Sequence, residues 1–390
     1  MNQLGIYCTV FPLASQAFIT EQVSNLVRYE PTFLMRSQGG ELNSKRIAIQ
    51  DRDVFRLKQT LFSLTGSPLL WGRSKALSQL NLIHAHFGPD GIYAMALAKQ
   101  LNIPLIVTYH GFDATISYAE LWRKRKPSVY QFLLKEHVLK EQAAKFIAVS
   151  KFLEKKLIER GYPKDKIIQH YIGVDTAKFV PRYTPPDERY IFCVARHTGK
   201  KGLDVLLKAF SKIAKKYPSV SLVQVGNGTM TAELYSLVER LGIKDRVRFL
   251  GAQPHKKVLE LMRQAEIFAL PSQTAKDGDS EALGIVFNEA SACGIPIVAT
   301  WHGGIPEAVL DGETGFLIPE KDVNSLSEKL DALLADRALG ERMGKQGRDY
   351  VCEIFDIRKQ TTKLELIYDE ILQNSNSSNQ REKDDRINMA

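Results

Sequence analysis

The sequence predicts a mostly parallel α/β protein of two domains, on three observations. At 390 residues the chain is long enough for two cores of ordinary domain size. Short apolar runs alternate with helix-period stretches over most of its length, the pattern of parallel strands covered on both faces. The alternation then restarts after PRYTPPDE (181–188), whose prolines and charges read as a linker.

In the first half LGIYCTVF is the opening strand, followed by an amphipathic stretch through Phe18, Ile19, Val23, Leu26 and Val27. The apolar start has no basic residue before Arg28, so it reads as a strand and not as a leader peptide. Residues 54–76 read as helical. LIHAHF, a helix over Ile92–Leu101, PLIVTYHGF, a helix over Pro127–Ala143, KFIAVS, a helix to Arg160 and IIQHYIGV complete this half. The second half runs RYIFCVAR, helix Leu203–Lys216, VSLVQVG, helix Ala232–Leu241, VRFLG, helix Lys256–Gln264 and IFALP. A helix within EALGIVFNEA, then PIVAT, GFLIP and a helix over Val323–Ala335 follow, with 341–374 helical again. The last residues, 375–390, lack any apolar period and are expected to be disordered. The expected domains are therefore 1–180, the linker, 189–355, a helix over 356–374 returning to the first domain, and the tail.

Composition narrows the class. The four cysteines are widely spaced, which fits buried thiols in a reducing compartment. No apolar run approaches the roughly 18 residues of a membrane span, so the cytosol is the expected location. Residues 1–180 carry 24 Lys+Arg against 14 Asp+Glu, while the remainder carries 29 against 30. The charge of +9 thus belongs to the first domain. Arg123–Lys126 (RKRK) concentrates it. Either this surface is merely solvated, or it meets an anionic partner such as lipid headgroups or a polyprenyl phosphate. No nucleic-acid recognition module is present, so nucleic acid is not expected as a partner.

Ligands of open parallel sheets sit beyond the carboxyl ends of the strands, so chemistry is sought there and in a cleft between the domains. The stretch PSQTAKDGDSEALGIVFNEA (271–290) leads from a strand through a loop into a helix start. Were Glu281 and Glu289 both helical they would lie about 12 Å apart. That is beyond the roughly 5–9.5 Å of a glycosidase pair, and it suits two ends of one elongated ligand. The N–H groups of Leu283, Gly284 and Ile285 would face an anion between them. After RYIFCVA, Arg196 and Lys201 flank a turn and can grip a diphosphate, or they are surface charges. Gly226-Asn227-Gly228 is a turn lacking the third glycine of a dinucleotide fingerprint. His84 and His86 share a strand face, where structural histidines outweigh a metal pair, and Asp277-Gly278-Asp279 reads as acidic loop before it reads as a cation site. His110, with Asp113 close by, is a candidate polar hook. No metal site and no cofactor are expected.

Taken together, VARHTGKKGLDVLLKAF, VGNG, EALGIVFNEASACGIPIVAT and HGGIPEAVLDGETGFLI, with IHAHFG, YHGFD and IGVDTAKF before them, resemble the retaining glycosyltransferases of family 4. The start, FPLASQAFITEQV, is similar to the exopolysaccharide and colanic-acid subgroup. The resemblance implies a GT-B fold of two Rossmann-like domains facing each other across a cleft, a nucleotide sugar donor (UDP-glucose first), and a glycan or lipid-linked acceptor. It implies that Arg196 and Lys201 hold the donor diphosphate, that Glu281 with the amides of Leu283–Ile285 faces the hexose, and that Glu289 takes the ribose. It further implies that backbone near Phe249–Leu250 holds the base, that Gly226 also borders the donor, and that His110 meets the donor sugar or reacting face. Ser15, Gln16, His86 and Asp113 would form an acceptor or phosphate loop. A noncatalytic sugar-nucleotide-binding protein and an NAD-dependent oxidoreductase are the competing classes.

Overall fold

The computed structural model describes residues 1–12, 16–40, 44–49, 57–72, 74–182 and 188–388. The chain divides into two compact units, Met1–Gly173 with Ile357–Ala390, and Val174–Asp356.

The first unit holds β1 (Asn2–Tyr7), β2 (Val10–Phe11), β3 (Tyr29–Met35), β4 (Ser37–Gln38), β5 (Arg46–Ala48), β6 (Leu82–His86), β7 (Leu105–Tyr109), β8 (Lys145–Ala148) and β9 (Ile167–Gln169). Seven of these form one sheet in the order β5-β3-β1-β6-β7-β8-β9, while β2 and β4 pair separately. Every pairing is parallel, with β1 in register so that Leu4 lies opposite Leu82 and Tyr7 opposite Ala85. Strands β6 and β7 are buried along their whole length, as continuous apolar runs require when helices cover both faces.

The second unit holds β10 (Arg189–Val194), β11 (Val220–Val225), β12 (Val247–Phe249), β13 (Ile267–Leu270), β14 (Ile297–Thr300) and β15 (Gly315–Ile318). Their order, β12-β11-β10-β13-β14-β15, is the doubly wound arrangement with its switch point between β10 and β13. Helices Leu203–Ile213, Thr231–Arg240, His255–Gln264 and Val323–Ala335 fall where the apolar period puts them. Asp322 caps the last by accepting the N–H groups of Asn324 and Ser325.

Three expectations change, at the linker, over 54–76 and in the tail. The passage between units falls at 173/174, ahead of 181–188: Val174 N–H donates to Phe355 O at 2.8 Å, and Arg348 donates to Thr176 O at 2.8 Å. These bonds fold residues 174–182 with the second unit; 183–187 lie outside the described residues. Residues 57–78 form three short helices, Leu57–Thr65, Pro68–Trp71 and Lys75–Ser78, because Gly66-Ser67-Pro68 and Gly72 interrupt them; 54–56 and 73 are not described. The stretch 341–374 is two helices, Arg337–Ile354 and one that starts at Ile357. That last helix runs to Asn388, so helix replaces the disorder expected from 375. Once a helix is nucleated by packing, each further residue costs only propagation, and no Pro or Gly follows Ile357 to stop it.

The last helix belongs to the first core. Leu364, Tyr368 and Ile371 are buried with Leu4, Ile6, Phe33, Leu82 and Ile106. Glu365 accepts the N–H groups of Val27 and Arg28 at 2.8 and 2.7 Å, satisfying a chain end that β3 leaves free.

Candidate active site

In the second unit the loops after β10, β13 and β14 meet at the switch point. The turn after β10 is pressed onto the start of the β13 loop. Gly202 has φ +60°, and a Cβ there would lie 2.0 Å from Pro271 O. Gln273 N–H donates to Lys200 O at 2.7 Å across the same junction. This contact delivers two ammonium groups to one carboxylate. Lys201 Nζ donates to Glu281 Oε1 at 2.8 Å, and Lys200 Nζ lies 3.3 Å from the same oxygen and 3.1 Å from Asp279 Oδ2. Burial pushes the Glu281 carboxyl up, but Lys201 and then Lys200 outweigh it, and the group is held down at about 2. Lys200 is raised: burial opposes its charge, and Glu281 and Asp279 restore it.

The backbone of Glu281 is fixed from the other side. Its N–H donates to His302 Nε2 at 3.0 Å, and His302 Nδ1 sits 2.7 Å from Glu320 Oε1. An Nε2 that accepts leaves the proton on Nδ1, donated to Glu320. Gly303 and Gly304 let the β14 loop close on this strand of chain, since Cβ atoms there would stand 2.1 Å from Glu281 O and 1.9 Å from Ala282 O. Glu281 therefore lies in the loop just before a helix and is not itself helical. The helix begins at Ile285 after Gly284, and the separation of about 12 Å along a shared axis does not apply. The N–H groups of Leu283, Gly284 and Ile285 donate to no acceptor among the described residues. They form a ready anion cradle beside the Lys–Glu cluster.

The remaining donor-side residues stand as follows. Arg196 is exposed on the loop after β10 and pairs with no acid among the described residues. Glu289, half-buried on the helix, faces His255 Nε2 at 3.4 Å. Gly226 N–H donates to Gly251 O at 2.8 Å and Leu250 N–H to Gln224 O at 2.9 Å, bringing the ends of β11 and β12 side by side. Phe249 packs there against Tyr235, with ring centroids 4.7 Å apart.

The first unit gathers its own polar cluster at the ends of β6 and β7. His110 Nε2 lies 3.0 Å from His86 Nδ1, and its ring is packed between Phe18 and Phe87 at 5.0 and 4.7 Å. Burial, then His84, pushes His110 down to about 3, so it is neutral at physiological pH, with Nδ1 unpartnered. Asp113 is fully buried and accepts N–H groups from Gly88, Gly111 and His110 at 2.9, 3.0 and 3.3 Å, bracing this turn from inside. His86 is likewise interior, at 1% exposure. A sequence shows that such residues follow strands but not which way they turn. His84 is a structural histidine, held between Tyr368 OH and Thr108 Oγ1 at 2.6 Å each. Gln16, before the helix Ala17–Ser24, is buried with Oε1 unpartnered, and Ser15 lies outside the described residues. No cluster of three or more metal-ligating side chains occurs among the described residues.

Three groups escaped the sequence reading. Lys200 was indistinguishable from its neighbour Lys201. His302 with Glu320 was masked by the more conspicuous Gly-Gly turn. Asp90, at the head of the helix Gly88–Leu101, accepts Thr9 N–H at 2.9 Å and the Thr9 hydroxyl, with its carboxyl raised by burial to about 7.

With this geometry in view, two family profiles divide the chain between them. One described as Glycosyltransferase Family 4 matches residues 19–178, and one described as Glycosyl transferases group 1 matches 175–350. The chain belongs to glycosyltransferase family 4. Its relatives include the colanic acid biosynthesis glycosyltransferase WcaL of Escherichia coli strain K12, 33% identical over 253 residues, 64% of this chain and 60% of that one. A GDP-mannose-dependent α-(1-6)-phosphatidylinositol monomannoside mannosyltransferase of Mycolicibacterium smegmatis is 34% identical over 203 residues, 49% of this chain and 53% of that one. The matched part thus spans only about half to three-fifths of these family members. Among solved structures, Anabaena Alr3699/HepE in complex with UDP and glucose superimposes with a TM-score of 0.76 over 95% of this chain and 100% of that one, at 18% identity. That likeness establishes the shared fold, GT-B with two Rossmann-like domains.

Proposed function

We propose that this protein is a retaining glycosyltransferase. It moves a hexose from a nucleotide diphosphate sugar, UDP-glucose first, to a glycan or lipid-linked acceptor in polysaccharide biosynthesis. The observation that carries the reading is the buried Lys201–Glu281 pair beside the free amides that open the helix at Ile285. Departure of a nucleoside diphosphate builds negative charge on phosphate while the sugar becomes oxocarbenium-like. Preorganised cations and amides stabilise that charge where it develops. In this reading Lys201 and Arg196 meet the diphosphate, and Glu281 meets the hexose, its ionised form secured by the two lysines. Glu289 takes the ribose, and Gly226 and Leu250 border the base. His110, neutral, offers Nδ1 to the donor sugar or reacting face, and Gln16 belongs to the acceptor side. The departing phosphate serves as base for the acceptor hydroxyl, so no protein nucleophile is invoked.

The reading is tested by UDP release from UDP-glucose with a crude glycan acceptor, with GDP-mannose run in parallel because one relative is named for that donor. Lys201→Ala and Arg196→Ala should each lower turnover by about 10²–10³-fold. Turnover like wild type in both variants would remove the diphosphate assignment. Binding of the donor without any release would favour the noncatalytic alternative. The chain is read as cytoplasmic and peripheral at the inner face of the membrane; no helix among the described residues is long and apolar enough to cross one.

A further inference from the structure

The large exposed hydrophobic side chains are not scattered. Seven of the 12 among the described residues lie within 57–134, and two contacts tie the segments that carry Leu61, Leu64, Trp122 and Leu134 together. Leu61 and Leu64 lie on one face of the helix Leu57–Thr65, whose other side buries Phe62. Leu64 O accepts from Gln131 Nε2 at 2.7 Å, which ties the end of that helix to the helix Pro127–Gln142. One turn along from Gln131 is Leu134, 60% exposed, and Gln131 follows Tyr130, on which Trp122 rests with centroids 4.7 Å apart. Trp122, itself 53% exposed, is the last residue but one of the helix Tyr118–Arg123. The loop joining that helix to Pro127 is Arg123-Lys124-Arg125-Lys126, all four exposed, with one acid, Glu120, paired to Arg123. Leucines, an amphipathic aromatic ring and a cationic loop thus occupy one side of the first unit.

Isolated exposed leucines need no explanation, but a cluster rimmed by like charge does. We propose that this side of the first unit is a docking surface for an anionic lipid bilayer. Arg123–Lys126 would meet the headgroups, Trp122 would sit at the interface, and Leu61, Leu64 and Leu134 would enter the acyl boundary. Charge complementarity selects this occupant. A protein partner would meet the leucines but not require four adjacent cations, and nucleic acid would meet the cations but leave the leucines in water. The inference names the surface for the peripheral membrane contact included in the proposed function.

Cosedimentation of the full chain with phosphatidylglycerol-containing vesicles, without donor or acceptor, tests it. Wild type should bind, release with added salt, and ignore pure phosphatidylcholine. R123Q/K124Q/R125Q/K126Q should weaken binding about a hundredfold, at about fivefold for each charge, less screening. L61E/L64E should weaken it at least about tenfold while circular dichroism is unchanged. Brominated lipid should quench tryptophan fluorescence in wild type and not in W122F. Equal binding to neutral vesicles, or wild-type binding by both multiple variants, would overturn the proposal. UDP release is measured separately. Vesicle binding with no release leaves the surface standing and defeats the catalytic reading; release without vesicle binding does the reverse.

Discussion

At the scale of single residues, Glu281 holds more than one relationship in place. Its side chain pairs with Lys201 and Lys200, and its N–H is held by His302. A buried carboxylate alone would be strongly disfavoured, so the two lysines are what keep it ionised and aimed. This has a measurable consequence in acid. A carboxyl held at about 2 in the folded chain, against about 4.3 unfolded, contributes stability that is fully present above the unfolded value. That contribution is lost as pH falls from about 4.3 through about 2. Glu281→Gln removes the titration, so the difference in unfolding free energy between wild type and variant should shrink over that window. Denaturant titrations at a series of acidic pH values measure it, and parallel curves would show that the pair is not formed.

At the scale of elements, the last helix is a component of the first core rather than an appendage. Tyr368 is fully buried, its hydroxyl 2.6 Å from His84 Nδ1 and its ring 5.1 Å from that of Tyr29. Tyr368→Phe leaves a buried histidine nitrogen without its partner, worth about 1–3 kcal/mol. Tyr368→Ala adds a cavity and should cost about 3–5 kcal/mol. Chemical unfolding followed by far-UV circular dichroism should show the loss; an unmoved midpoint in Tyr368→Ala would mean that the helix does not pack there. How far the elements could be read from the sequence follows from the same physics. Strands such as IFAL and PIVAT and the helix Val323–Ala335 declare themselves through apolar period, a local property. The run after Ser375 has no such period, and its helix depends on a nucleus formed upstream by Leu364, Tyr368 and Ile371. Burial is also non-local. His86 and Asp113 lie at strand ends, where substrate contacts are expected, yet both face inward. The pairing of Lys200 and Lys201 with Glu281 joins positions 81 and 80 apart, which no local pattern can announce.

At the scale of the whole molecule, the chain divides its labour by charge and by sheet. The excess cations and the exposed leucines lie in the first unit, and the Lys–Glu cluster at a switch point lies in the second. A ligand that binds only the folded form of one unit stabilises the openings of that unit by RT ln(1 + [L]/Kd), about 2.7 kcal/mol at a hundredfold excess over Kd. Amides that exchange through opening of that unit should then exchange roughly a hundredfold more slowly. Hydrogen exchange with saturating UDP-glucose should therefore slow the core strands of Val174–Asp356, such as Val220–Val225 and Ile267–Leu270, together with the loop from Pro271 to Gly284. Strands of the first unit that open independently, such as Tyr29–Met35, should keep their rates. Slowing confined to the first unit would place the nucleotide on the wrong sheet and dismantle the assignment of Lys201, Glu281 and the amides after them. Slowing confined to the second unit would tie the donor to the strand ends where two lysines and one helix start already converge.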